Sequence, residues 1–335
     1  MFKNVFYAFI LSFLNFTIAF AENTIPSLIL YTDRSQNIML PIFQSFEQIT
    51  GIKINPQYTS NSEISNLIQK ENNNFADLIV TEDVTPLILN EDHLYKIPSG
   101  LTKKTYINSK NNSKKWIITS VYAQVLVYST ERIGRGDIPK SIFDIINKKW
   151  KKRISISPNN SSFQKILNTM QINFNHDKVR AFIEGLAINE TQHYLRDADL
   201  IRSLENGKVD ISLIDSRSLI YFRQQDQKNS VSTASFLDGD IGNIPSMSGA
   251  GVLQSSKKKV MALKFLRFML SPLIQQYLVA TLGEYPVVKG IIVNPMLNNI
   301  IHAEGLYPEF DSKNLPDTQT TQKILIDYGF LPKIN

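Results

Sequence analysis

The chain has 335 residues, of which 43% are hydrophobic and 20% charged, with a formal net charge of +6 and no cysteine. This length exceeds the roughly 250–300 residues at which a single hydrophobic core stops growing, so two lobes are expected. Lack of cysteine excludes disulfide scaffolds, thiolate zinc sites, iron–sulfur clusters and cysteine nucleophiles, leaving oxygen and imidazole chemistry.

The first 21 residues read as a signal peptide. Lys3 supplies the positive start, Val5 to Phe20 is almost wholly apolar, and Ala19-Phe20-Ala21 gives the small-residue cleavage pattern, so the mature chain begins at Glu22. The apolar run spans about 16 residues and contains Ser12 and Asn15. That is short of the roughly 20 that a membrane-spanning helix needs. Export places the mature product in the periplasm of a cell with two membranes.

Beyond the leader, strand and helix patterns alternate. Ser27 to Tyr31 is a short apolar strand, and Ile38, Ile42, Phe46 and Ile49 follow at helical spacing with Asn37 as N-cap and Gly51 as the stop. Ile52 to Pro56 reads as a second strand. Ser62 to Lys70 reads as a helix with Ile64, Leu67 and Ile68 inward, and Asp77 to Val80 as a third strand, completing a βαβαβ unit. Trp116 to Ser129 is long, β-branched and uninterrupted, and Ser248 to Leu253 is a strand of small residues; both are candidates to cross between lobes. Between them lie a strand at Arg153 to Ser157, helices at Ser162 to Gln171, Asp177 to Leu186 and Ala198 to Asn206, and a strand at Val209 to Ile214. Helices at Lys258 to Leu270, Pro272 to Thr281 and Gln322 to Gly329 complete the chain.

In open α/β sheets ligands bind beyond the carboxyl ends of strands. Four polar clusters sit at such ends: Thr32 to Ser35, Thr81 to Asp83, Asn159 to Ser162 and Asp215 to Ser218. The third opens a helix, whose free N–H groups favour an anion. Each cluster taken alone also reads as helix caps and solvated turns. The basic run Lys148, Lys149, Lys151, Lys152 and Arg153 around Trp150 reads as a solvated helix end, with no nucleic-acid signature beside it. His93, His176, His193 and His302 show no paired metal spacing, and there is no nucleophile elbow, P-loop or dinucleotide fingerprint, so no enzyme is expected.

The chain resembles the periplasmic substrate-binding proteins of ABC transporters, and among them the bacterial ferric-ion-binding proteins. The likeness spans the mature chain. It is carried by Leu30-Tyr31 with Phe46 to Ile54, Ala76 to Glu82, Ile142-Phe143-Asp144 with Trp150 to Ile154, Leu204 to Asp210, Ser248 to Leu253 and Gly283 to Val287. The resemblance implies an α/β, two-lobed periplasmic-binding-protein fold, type II-like, with two hinge strands and a ligand cleft. The lobes would be 22–117 with about 250–300, and about 118–249 with 301–335. It also implies a monomer that hands its solute to an inner-membrane ABC permease and takes no nucleic acid.

Its metal residues carry over in part. Glu82 matches the family's glutamate, whereas Ser35 stands at the histidine position and Arg217 and Ser218 stand at the tandem tyrosine, so three of four usual ligands are absent. Asn159, Asn160, Ser161 and Ser162 correspond to the loop for a synergistic anion, Asp197 and Asp215 to two assisting asparagines, and Tyr122 to a hinge-strand side chain that reaches the site. Tyr221, Asp33 and Asp215 could restore an oxygen-rich iron site, Tyr221 lying four residues beyond Arg217. The expected cargo is Fe(III), with or without a synergistic anion. The alternative is a phosphorylated or other small organic anion or zwitterion held through Arg217.

Overall fold

The computed structural model describes residues 25–70, 75–101, 103, 105, 114–225, 230–295 and 318–333. The expected signal peptide, His302 and the segment 301–317 lie outside the described residues. In chain order the elements are β1 (Ser27–Thr32), α1 (Gln36–Thr50), β2 (Lys53–Tyr58), α2 (Asn61–Gln69), β3 (Leu78–Thr81), α3 (Thr85–Leu89) and β4 (Trp116–Ser129). There follow β5 (Ile154–Ile156), α4 (Ser161–Asn173), α5 (His176–Ile188), β6 (Gln192–His193), α6 (Asp197–Glu205), β7 (Ile211–Asp215), α7 (Ser216–Gln225) and β8 (Val231–Ala234). The chain closes with β9 (Pro245–Val252), α8 (Lys259–Met269), α9 (Pro272–Leu282) and α10 (Thr318–Asp327). Among the described residues no helix is long and apolar enough to cross a membrane.

One sheet runs through both lobes in the order β2-β1-β3-β9-β4-β7-β5-β6, with β8 added on β4. In the first lobe β1 is flanked by β2 and β3, both parallel to it; in the second, β5 lies parallel between β7 and β6. Two antiparallel strands join the lobes. β9 pairs with β3 through Gly249 to Val252 and with β4 along its length, while β4 leaves β9 at Ala123 and pairs with β7 from Gln124 to Tyr128. Every residue of β4 is buried, as its unbroken β-branched and aromatic run predicts. The β4–β9 register shifts between Ile118 and Ser120, a local break of the kind that lets a strand bend.

β9 needs small residues. A Cβ on Gly249 would lie 2.7 Å from Leu87 Cδ1, 2.9 Å from Val84 Cγ1 and 3.1 Å from the Ile117 carbonyl oxygen, so α3 packs directly on the crossing strand.

Two apolar cores result. The first joins α1, α2, β1–β3, α8 and α9, and continues through the crossing strands to Leu200, Ile201, Leu219 and Ile220. The second lies under α4 and α5 and includes Trp150, Ile324, Leu325 and Phe330, so α10 packs with this lobe. Two local expectations change. α1 is capped at Ser35 rather than Asn37 and begins at Gln36, which puts Pro41 inside the helix, and its buried stripe is Met39, Ile42, Phe43 and Phe46, leaving Ile49 63% exposed. The basic run is not simply a solvated helix end: Trp150 is buried beneath Lys149 and Arg153, Arg153 bonds Asp210, and Lys151 and Lys152 pair with Glu190.

Candidate functional site

The carboxyl ends of β1, β3 and β7 meet beside β4, and their polar residues converge on one guanidinium. Arg217 is the second residue of α7, directly after β7 ends at Asp215. Its Nε and Nη2 donate to Asp215 at 2.9 and 2.8 Å, and Nη1 reaches Glu82 at 2.8 Å. The guanidinium carbon lies 3.6 Å from the centre of the Tyr122 ring, and Nη1 is 3.7 Å from Glu284. Burial works against the charge, but Asp215, through its charge and hydrogen bonds, together with Tyr122 and Glu82, raises the Arg217 pKa well above its ordinary value. Burial also drives the Tyr122 hydroxyl far up, only partly offset by Arg217, so it stays a neutral phenol.

The carboxylates around Arg217 are fixed from behind. Ser162 donates to Asp215 at 2.9 Å, and the Asp215 N–H donates to Asp197 at 3.1 Å. Asn160 caps α4 through the Ser162 N–H at 2.8 Å while its amide reaches both Asp197 oxygens. On the first lobe, Asp33 accepts the Glu82 N–H at 2.7 Å, and the hydroxyls of Tyr122 and Ser248 donate to the Glu82 carbonyl at 3.2 and 3.1 Å. The Glu82 side chain is one-third exposed and opens to solvent. A further pair crosses between the lobes, from Lys165 on α4 to Asp83 at 3.7 Å.

Beneath Arg217 lies a second buried ion pair. Glu284 accepts from Arg34 at 2.5 Å and from Ser120 at 2.6 Å, with Arg34 at 2% and Glu284 at 0% exposure. Gly283, at φ 62°, ends α9 in the left-handed conformation that turns the chain toward Glu284. The charges thus alternate from Arg34 through Glu284 and Arg217 to Glu82 and Asp215.

The expected site residues divide into two groups. Asp33, Glu82, Tyr122, Asn160, Ser162, Asp197, Asp215, Arg217 and Ser218 form one connected network. Ser35 is an exposed N-cap without a side-chain bond, Ser161 is exposed, and Asn159 turns toward Ser157 and the Leu195 carbonyl. Ser218 is half-buried beside Asp197, to which it hydrogen-bonds. Tyr221 is 60% exposed on α7. Among the described residues, no three Asp, Glu or His side chains form a group able to hold a metal ion. Glu284, Ser120, Ser248 and Lys165 were not singled out from sequence. Glu284 reaches Arg34 across 250 positions, and only its place after a glycine helix stop hinted at a directed side chain.

Asp33 and Asp197 are both raised to about 6, chiefly by burial; the neighbouring charges of Glu82 and Asp215, respectively, add to it. A carboxyl that holds its proton more tightly folded than unfolded stabilises the fold fully below its unfolded pKa, and this contribution is lost as pH rises through the folded value. Asp197→Asn should therefore stabilise the protein by about 2 kcal/mol at pH 7.5 and leave it unchanged near pH 3.5. Urea midpoints at the two pH values measure this, and an equal shift at both would refute the assignment.

A family model described as bacterial extracellular solute-binding protein matches residues 69–307. The major ferric iron-binding protein of Neisseria meningitidis serogroup B is 23% identical over 317 residues, covering 92% of this chain and 95% of that protein. An Fe(3+)-binding periplasmic protein of Serratia marcescens is 24% identical over 314 residues, covering 91% and 90%. Among solved structures, iron-bound HitA from Pseudomonas aeruginosa superposes with a TM-score of 0.77 at 24% identity, covering 91% of this chain and 99% of that one. The ferric binding protein from Campylobacter jejuni gives 0.74 at 22%, covering 91% and 100%. These likenesses agree with two lobes joined by a crossing strand pair, and the family match establishes that the chain belongs to the bacterial extracellular solute-binding proteins.

Proposed function

We infer that this chain is the binding component of an ABC importer that carries ferric iron through the periplasm and delivers it to an inner-membrane ABC permease. The observation that carries this reading is the charge at the strand ends. Among the described residues, Asp33, Glu82, Asp83, Asp197, Asp215 and Glu284 face Arg34, Lys165 and Arg217, six carboxyl groups against three cationic ones. Such a surplus of hard oxygen donors attracts a compact, highly charged cation. Relatives named for ferric iron support the same choice.

The anion reading is the weaker one, since an incoming carboxylate or phosphate meets an Arg217 whose charge Asp215 and Glu82 already balance. An anion accompanying the iron finds its best place at the opening of α4, among Asn159, Asn160, Ser161 and Ser162. The chain acts as a monomer without catalysis, and the lobes that close on the solute are 22–117 with about 250–300 and about 118–249 with 301–335. The packing of α8 and α9 on the first core and of α10 on the second supports that division.

Protein isolated from its own periplasm and analysed by native mass spectrometry with metal analysis should show one iron per chain and an N-terminus at Glu22. A bound organic anion without metal would overturn the iron assignment.

A further inference from the structure

Arg217 lies where the cargo of the proposed importer should lie. It engages Asp215 of the second lobe through two nitrogens and Glu82 of the first through a third, with Tyr122 of the crossing strand stacked against its face. These oxygens are the ones a metal ion entering between the strand ends would use. The guanidinium balances their charge, and no metal-holding group of three acidic or histidine side chains forms among the described residues.

We propose that Arg217 is the specificity-determining residue of the cleft, a tethered cation that bridges the lobes in the cargo's seat and that an incoming metal ion must displace. The inference rests on the reading of the site as a cation site and adds to it a rule of selection. Displacing the guanidinium breaks three charge-assisted hydrogen bonds and a cation–π contact. That cost is the same for every cation, whereas attraction to the carboxylates grows with the charge of the ion. A trivalent ion overcomes the tether. A divalent ion gains about two-thirds as much direct attraction at equal distance, so the same displacement cost weighs more heavily against it. Discrimination thus comes from a built-in competitor rather than from a tighter fit to iron. The side chain is 20% exposed, so it has solvent into which to swing.

The full mature chain, Arg217→Ala, Arg217→Gln and Arg217→Lys should be titrated calorimetrically with ferric nitrilotriacetate and, separately, with manganese(II) chloride. Arg217→Gln keeps donors for Asp215 and covers the case in which the alanine variant does not fold. The uncharged variants should bind ferric iron at least tenfold more tightly, about 1.4 kcal/mol, and should take up manganese(II), which the parent refuses. Arg217→Lys keeps the charge without the fork and should fall between parent and alanine.

If the parent binds iron and the uncharged variants bind it no more tightly, the tether is refuted while the iron reading stands. A parent that refuses iron, with uncharged variants that acquire manganese(II), supports the tether and refutes the iron reading. Refusal of both metals by every folded variant refutes both.

Discussion

Glu284→Ala is expected to cost about 3–5 kcal/mol of folding free energy, the usual consequence of stranding a buried charge. Arg34 is 2% exposed, and its Nε and Nη1 are buried without hydrogen-bond partners among the described residues, so the carboxylate of Glu284 is what neutralises it. Removing that carboxylate also strips Ser120, in the irregular stretch of β4, of its acceptor. The effect is one of charge burial rather than lost volume. The paired change Arg34→Met with Glu284→Leu should therefore recover most of the loss, because well-packed apolar residues commonly replace a buried ion pair without penalty. Urea unfolding at constant slope checks both variants. A cost below about 1 kcal/mol for Glu284→Ala would mean that water reaches Arg34.

Glu82→Ala should leave a different trace. Its side chain is one-third exposed and its pairing with Arg217 is backed by Asp215, so folding should change by no more than about 1 kcal/mol. Ferric-iron binding should fall at least about 100-fold, because Glu82 is the solvent-facing carboxylate that the first lobe contributes to the seat; at about 1.4 kcal/mol per tenfold this is about 2.7 kcal/mol. Calorimetry against ferric nitrilotriacetate measures it. An affinity within about threefold of the parent would remove Glu82 from the metal site. Two carboxylates near the same guanidinium are thus separated by their readouts, one in unfolding and the other in binding.

What could be read from the sequence follows how local each determinant is. β4 could be delimited from Trp116 to Ser129 because all fourteen residues are buried, leaving no alternation to confuse the pattern. The α1 stripe differs by a small rotation: Ile49 fits the same spacing as Phe46, but Met39 and Phe43 are the residues buried beside Ile42 and Phe46. α7 gave only a conditional signal, since Ser216-Arg217-Ser218 after a strand reads equally as a turn. The polar residues at strand ends were recognisable by position, because fold class fixes where strand ends gather. Their pairing was not. Whether Arg217 would face an anion or be locked between Glu82 and Asp215 depends on side chains from β3, β4 and β7, and no spacing along one segment encodes it.

The alternating row from Arg34 to Glu82 also bears on how such a protein diverges. At its inner end a change is screened by folding, because Glu284 and Arg34 are each intolerable without the other. Toward solvent, Glu82 and Arg217 are partly exposed, so a substitution there is expected to act more on what the cleft accepts than on the two apolar cores. Lineages can therefore drift in cargo preference by single substitutions at the mouth, while the inner pair is inherited as a unit. A descendant with new selectivity should be recognised by replacement at position 217 over an unchanged Arg34 and Glu284.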